Sequence, residues 1–153
     1  MAQGDEEVAR ALLTSRPQLA NSRNRLEKTP VHYAVTNARP DMLALLAEFG
    51  ADLNARDVTG MTPLHVAAML GRKDEALWLL AHGVELEPKD AFGDTPVHTA
   101  AIFHGGLIAT LRQKGASLTP KNNAGLTPLD AARKYHNDRA AAYLEKQMKK
   151  NAP

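Results

Sequence analysis

The stretch Thr62-Pro-Leu-His-Val-Ala-Ala68, TPLHVAA, decides the fold, because the chain writes this phrase four times. It returns as TPVHYAV at 29–35, TPVHTAA at 95–101 and TPLDAAR at 127–133. Thr29, Thr62, Thr95 and Thr127 are spaced by 33, 33 and 32 residues, and Gly50, Gly83 and Gly115 keep the same interval. Two independent markers on one period describe a repeat array. A period near 33 describes a solenoid of short supersecondary units.

The residues explain why the phrase recurs. Thr62 is suited to cap a helix, and Pro63 to stand at its first position, where a missing N–H costs nothing. Leu64, Ala67 and Ala68 give an apolar stripe whose alanines let neighbouring helices approach closely. Gly71 permits a reversal into a second helix, where Ala76, Leu77, Leu79 and Leu80 are expected to supply the other core face. Gly83 closes that helix in the left-handed conformation. Asp90 and Gly93 carry turn chemistry. Helices of about ten residues are marginal alone, so each unit must lean on its neighbours.

With the signature T-P-L-H-x-A unaltered at Thr62–Ala67, the chain resembles the ankyrin-repeat family, from about residue 8 to residue 146. The resemblance implies an all-α solenoid of stacked helix–turn–helix units with projecting β-turns or hairpins. The whole chain, 1–153, reads as one domain. Residues 5–23 form an N-terminal capping half-repeat, an outer helix whose inner helix is missing, with Asp5 as its cap. Residues 24–56, 57–89 and 90–121 are repeats, 122–148 a C-terminal capping repeat and 149–153 a tail. Three features depart from the family pattern: Glu27 where glycine is usual, Pro40 in an inter-helix turn, and a unit one residue short around His104-Gly-Gly106. The two glycines predict a tight turn with positive φ.

Composition sets the outer limits. The chain has 153 residues and 44% apolar content, ordinary for a soluble globular domain, with only 5% aromatics. There is no cysteine, which removes disulfides and thiolate chemistry and fits a reducing compartment. A cytoplasmic location is expected, with the nucleus as an alternative. No apolar run is long enough to span a membrane, and the acidic start MAQGDEE is no secretory signal. A net charge of +2 gives little reason to expect a nucleic-acid partner.

His32, His65 and His98 raise the question of a metal or catalytic row. Repeat units stack about 8–10 Å apart, whereas zinc–nitrogen bonds are about 2.0–2.1 Å, so one imidazole per unit cannot share an ion. The preferred reading is architectural, with each ring bonding turn groups and Asp130 taking that place in the last unit. His82, His104 and His136 fall at helix ends. No nucleotide loop or metalloprotease motif is present, so no catalytic residue, metal or cofactor is expected.

Function is then sought on exposed positions. In the family, contacts come from the turn tips and the exposed side of each first helix. Carried over, these positions give Met61, Met69, Leu70, Phe92, Ile102, Phe103, Leu126 and Tyr135 as a partner-binding set. Such an apolar concentration marks a partner surface. Beside it, Arg23, Arg56, Lys89 and Lys121 close successive units and form a basic rail. The leading expectation is a monomeric, non-catalytic protein-interaction module whose concave face takes a protein or peptide with apolar anchors and acidic flanks. The alternatives are polyanion binding along the rail, or a scaffold or fragment of a larger ankyrin protein. The resemblance also places Asn54 at a position that is hydroxylated in some members of the family by an oxygen-sensing dioxygenase; a turn-stabilising role is preferred for it.

Overall fold

Each Thr-Pro phrase opens a helix. Thr29, Thr62, Thr95 and Thr127 hold extended backbone at the N-cap, and the prolines after them begin the helical turns. The computed structural model describes residues 2–150. In chain order it places α1 (Ala2–Ser15), a 3-10 helix (Pro17–Asn21), α2 (Pro30–Thr36), α3 (Pro40–Glu48), α4 (Pro63–Leu70), α5 (Lys73–Ala81), α6 (Pro96–Phe103), α7 (Ile108–Gln113), α8 (Pro128–Lys134) and α9 (Asp138–Lys150). Helices α2, α4, α6 and α8 pack in succession as an inner layer, backed by α3, α5, α7 and α9, with α1 against α3. No strand occurs among the described residues; the segments between units project as turns.

The inner helices approach closely because alanines face their neighbours: Ala67, Ala68, Ala100, Ala101, Ala131 and Ala132 are fully buried. Leu43, Leu64, Leu79, Ile108, Leu111 and Leu144 fill the space between the layers. In α5 the core face is made by Ala76, Leu79, Leu80 and Trp78. Leu77 belongs to the partly exposed face instead.

The three histidines bind the units together. Nδ1 of His65 accepts the Thr62 amide at 3.1 Å, so the ring proton sits on Nε2, which donates to the Asp94 carbonyl of the next unit at 2.9 Å. His32 repeats the arrangement between Thr29 and the Met61 carbonyl, and His98 between Thr95 and the Leu126 carbonyl. Both ring nitrogens are thereby occupied by protein. These are capping boxes with histidine in place of the usual glutamate. Asp130 closes the series: it accepts the Thr127 amide and hydroxyl, which hold its carboxyl below the usual carboxylate range. A carboxylate has no proton to pass onward.

A second connection runs through the turn tips. Asn24, Asp57, Asp90 and Asn122 each fold their side-chain oxygen back onto backbone amides two and four residues ahead. Successive tips then join by single backbone bonds: Val58 to the Leu26 carbonyl, Ala91 to Thr59 and Asn123 to Phe92. Gly93 is required here twice over. Its φ is +76°, and an added Cβ would meet the Asn123 amide nitrogen at 2.8 Å.

The ends and irregularities differ in detail from expectation. Helix α1 begins at Ala2, so Asp5 lies inside it rather than capping it. Helix α9 runs through Lys150, taking Lys149 and Lys150 out of the expected tail; residues 151–153 lie outside the described residues. Its start is capped by Asn137, whose oxygen accepts the Ala140 amide. Pro40 is the first residue of α3, a position that suits it. The link between α6 and α7 runs over residues 104–107, longer than the 71–72 link after α4, and of its two glycines only Gly105 has positive φ, with α9 packed against it at Ala140. Glu27 adopts φ +58°, the conformation that Gly60, Gly93 and Gly125 adopt in the later units.

Two predictions follow from this geometry. Glu27→Gly relieves the left-handed strain at the loss of an exposed ion pair with Arg23, and should stabilise the chain by about 0.5–1 kcal/mol in urea unfolding. A loss of stability would contradict the strain. Burial pushes the His32 and His65 rings below the ordinary histidine value of 6.5. The unfolded chain therefore binds protons that the folded chain refuses. Their contribution is complete above the unfolded value and is lost as pH falls through it toward the folded values. The urea midpoint should drop between about pH 7.5 and pH 5.5, and drop less in His65→Gln. An equal drop in both proteins would remove the ring as the cause.

Candidate functional site: the concave groove

The bonds that fix the turn tips also build a wall. Between the tips of the last three units and the tops of α4, α6 and α8 lies a groove of about 590 Å³. Met61 and Met69 contribute from the first of these units. Phe92, Ile102 and Phe103 come from the second, and Leu126 and Tyr135 from the third. Seven of the eight residues expected at a partner surface thus line one concavity. Leu70 does not; it turns inward and packs against the core.

Phe92 and Phe103 stand 63% and 59% exposed, although they are large aromatics. Each is placed by its element. Phe92 sits on the turn whose amides Asp90 holds at 2.9 Å. Phe103 is the last residue of α6. Tyr135 follows α8 directly, with the Lys134 ammonium 5.7 Å from its ring centre, a cation–π contact.

Sequence reasoning missed Thr99, Asp90 and Asn122, which line the groove as well. Thr99 is the fifth residue of its phrase, where the other units carry Tyr33, Val66 and Ala131. A small hydroxyl residue in place of the Val66 of the unit before was the available signal. Asn122 donates to the Asp94 carboxylate at 2.7 Å and fixes its direction. The lining therefore carries two carboxylates, Asp90 and Asp94, and one ammonium, Lys134.

A family model described as ankyrin repeats, three copies, matches residues 1–90. The chain belongs to the ankyrin-repeat family. Among curated proteins, the serine/threonine-protein kinase VIK of Arabidopsis thaliana is 40% identical over 55 residues. That match covers 36% of this chain and 13% of the kinase, so the ankyrin chain spans a small part of the relative it matches. Ankyrin repeats are generally protein-interaction modules. No helix among the described residues is long and apolar enough to cross a membrane.

None of the basic rail lines the groove of the ankyrin stack. Arg23 donates to the Arg56 carbonyl at 2.8 Å, and Arg56 in turn to the Lys89 carbonyl at 2.5 Å. These two arginines staple one unit to the next. Asn54 does similar work, its oxygen accepting the Glu85 amide of the following unit at 2.9 Å. Asn21 accepts Asp52 and Glu87 accepts Ser117 in the same way. Arg56→Gln should therefore cost about 1 kcal/mol in chemical denaturation, against less than about 0.5 kcal/mol for Lys121→Gln. Equal, negligible effects would return Arg56 to the role of a solvated charge.

Proposed function

We propose that the chain is a monomeric, non-catalytic interaction module that takes a partner's peptide segment in its concave groove. The observation that carries this is the convergence of Phe92, Phe103 and Tyr135, three exposed aromatic rings from three separate turns and helix ends, on one apolar concavity. Large exposed apolar surface is costly to keep in water, and aromatic anchors dominate binding energy where they are used. A wall tied by backbone bonds loses little freedom on binding, so modest contacts suffice.

The lining also indicates what fits. Two or three large apolar side chains fill the space between Met69 and Tyr135. Two carboxylates against one ammonium favour a basic residue beside those anchors, in place of the acidic flanks that the rail had suggested. Charge then sets encounter rate and register, while apolar contact supplies most of the affinity. The lack of cysteine supports a cytoplasmic setting for the complex, with the nucleus as the alternative.

A displayed random-peptide library selected on the full chain tests this reading. Enriched peptides should combine apolar and basic residues, and their affinity should fall at least about 30-fold for the Phe92→Ser, Phe103→Ser double variant. Both positions are exposed, so circular dichroism should show the fold intact. Selected peptides that bind the folded double variant equally well would remove the groove as the site.

A further inference from the structure

The groove carries one side chain that the repeat does not ask for. Lys28, Met61, Asp94 and Leu126 hold the same place in successive units, directly before the threonine cap. The structural work of that place is done by backbone. The amides of Met61, Asp94 and Leu126 bond the side chain four residues earlier, and their carbonyls take the imidazole of the unit before. The side chain itself is free to vary. The units on either side put Met61 and Leu126 there, and both line the groove. Between them the Asp94 carboxylate stands in the same lining.

That carboxylate is held in place. Asn122 donates its Nδ2–H to Asp94 Oδ1 at 2.7 Å. Asn122 itself occupies the turn place of Asp57 and Asp90, where only a side-chain oxygen is needed to accept two amides. Aspartate would serve that turn equally well, but it has no N–H and would set a second negative charge against Asp94. The turn accounts for the oxygen of Asn122, and Asp94 accounts for its nitrogen. Thr99 is an independent sign. It lines the groove while only 4% exposed, at the helix place where the units on either side carry Val66 and Ala131. Its hydroxyl donates to the Thr95 carbonyl at a long 3.4 Å, which leaves the oxygen able to accept. A carboxylate among apolar side chains loses hydration that a cation can replace.

We propose that Asp94 is the specificity-determining residue of this groove, and that it selects an arginine side chain of the bound peptide. The inference rests on the groove reading above and names one contact within it. Two features favour guanidinium over ammonium. Oδ2 of Asp94 and the remaining lone pair of Oδ1 offer two acceptors to a planar fork of N–H groups, a match that an ammonium cannot make. The exposed rings of Phe92 and Phe103 in the same lining offer faces on which a guanidinium stacks, and it sheds water more readily than an ammonium. Lys134 sets the register. Its ammonium stands 5.7 Å from the Tyr135 ring centre and repels a second cation from that part of the lining.

The test compares random-peptide libraries selected on the full chain and on its Asp94→Met variant. That variant copies Met61 and keeps every backbone bond of the place, so circular dichroism should show the fold intact. Peptides selected on the unaltered chain should carry arginine at one fixed position. Changing that arginine to lysine or to uncharged citrulline should weaken binding at least about ten-fold. On Asp94→Met the same changes should cost less than about two-fold, and selection should no longer enrich arginine. Lysine binding as well as arginine would overturn the choice of guanidinium. An arginine effect that persists in Asp94→Met would place the cation elsewhere. Arginine-free peptides that still depend on Phe92 and Phe103 would overturn this inference and leave the groove standing. A library yielding no peptide sensitive to the Phe92→Ser, Phe103→Ser double variant would remove both.

Discussion

One hydrogen bond carries this architecture: the imidazole Nε2–H of one unit given to a backbone carbonyl of the next. It exists because the other ring nitrogen is committed to the threonine N-cap three residues earlier. That commitment fixes both the tautomer and the direction of the ring. A single residue therefore closes its own helix and fastens the following unit. Buried polar groups are stabilising only when fully paired, and each of these rings uses both nitrogens.

The bond has a direction, and the direction shapes the surfaces. Because every unit gives to the one after it, the series must stop at a residue that cannot give, and Asp130 is that residue. Among the described residues it starts at a carbonyl that no histidine serves, that of Lys28, which accepts its own turn amide from Asn24. Between these limits the loop tips are held at fixed spacing by their own backbone bonds and by Arg23, Arg56 and Asn54. Stability belongs to the junctions rather than to the units. The concave groove is a by-product of that regularity, and its specificity lies in the few positions the repeat leaves free.

Much of this was legible in the sequence, for identifiable reasons. The Thr-Pro phrase fixes helix starts through local sterics, which need no tertiary information, and its period reveals the stacking. The groove aromatics were legible because their places in the period are known to be exposed. Other features depend on contacts that no period encodes. Leu70 and Phe103 occupy equivalent positions, yet only Phe103 lines the groove, while Leu70 packs against the core. Trp78 rather than Leu77 meets the core, since the rotation of α5 is set by its neighbours. The rail arginines looked like free charge because sequence shows their spacing and not the carbonyls they reach. Glu27 looked like a mild departure and proves to hold a glycine conformation.

The most direct test of this account is the long-range ¹H–¹⁵N spectrum of the imidazole rings in the intact chain at neutral pH. The account predicts that His32, His65 and His98 all carry their proton on Nε2, with hydrogen-bond couplings to the carbonyls of Met61, Asp94 and Leu126. Rings protonated on Nδ1, or exchanging freely between tautomers, would contradict it, because the units would then have to be joined by something else.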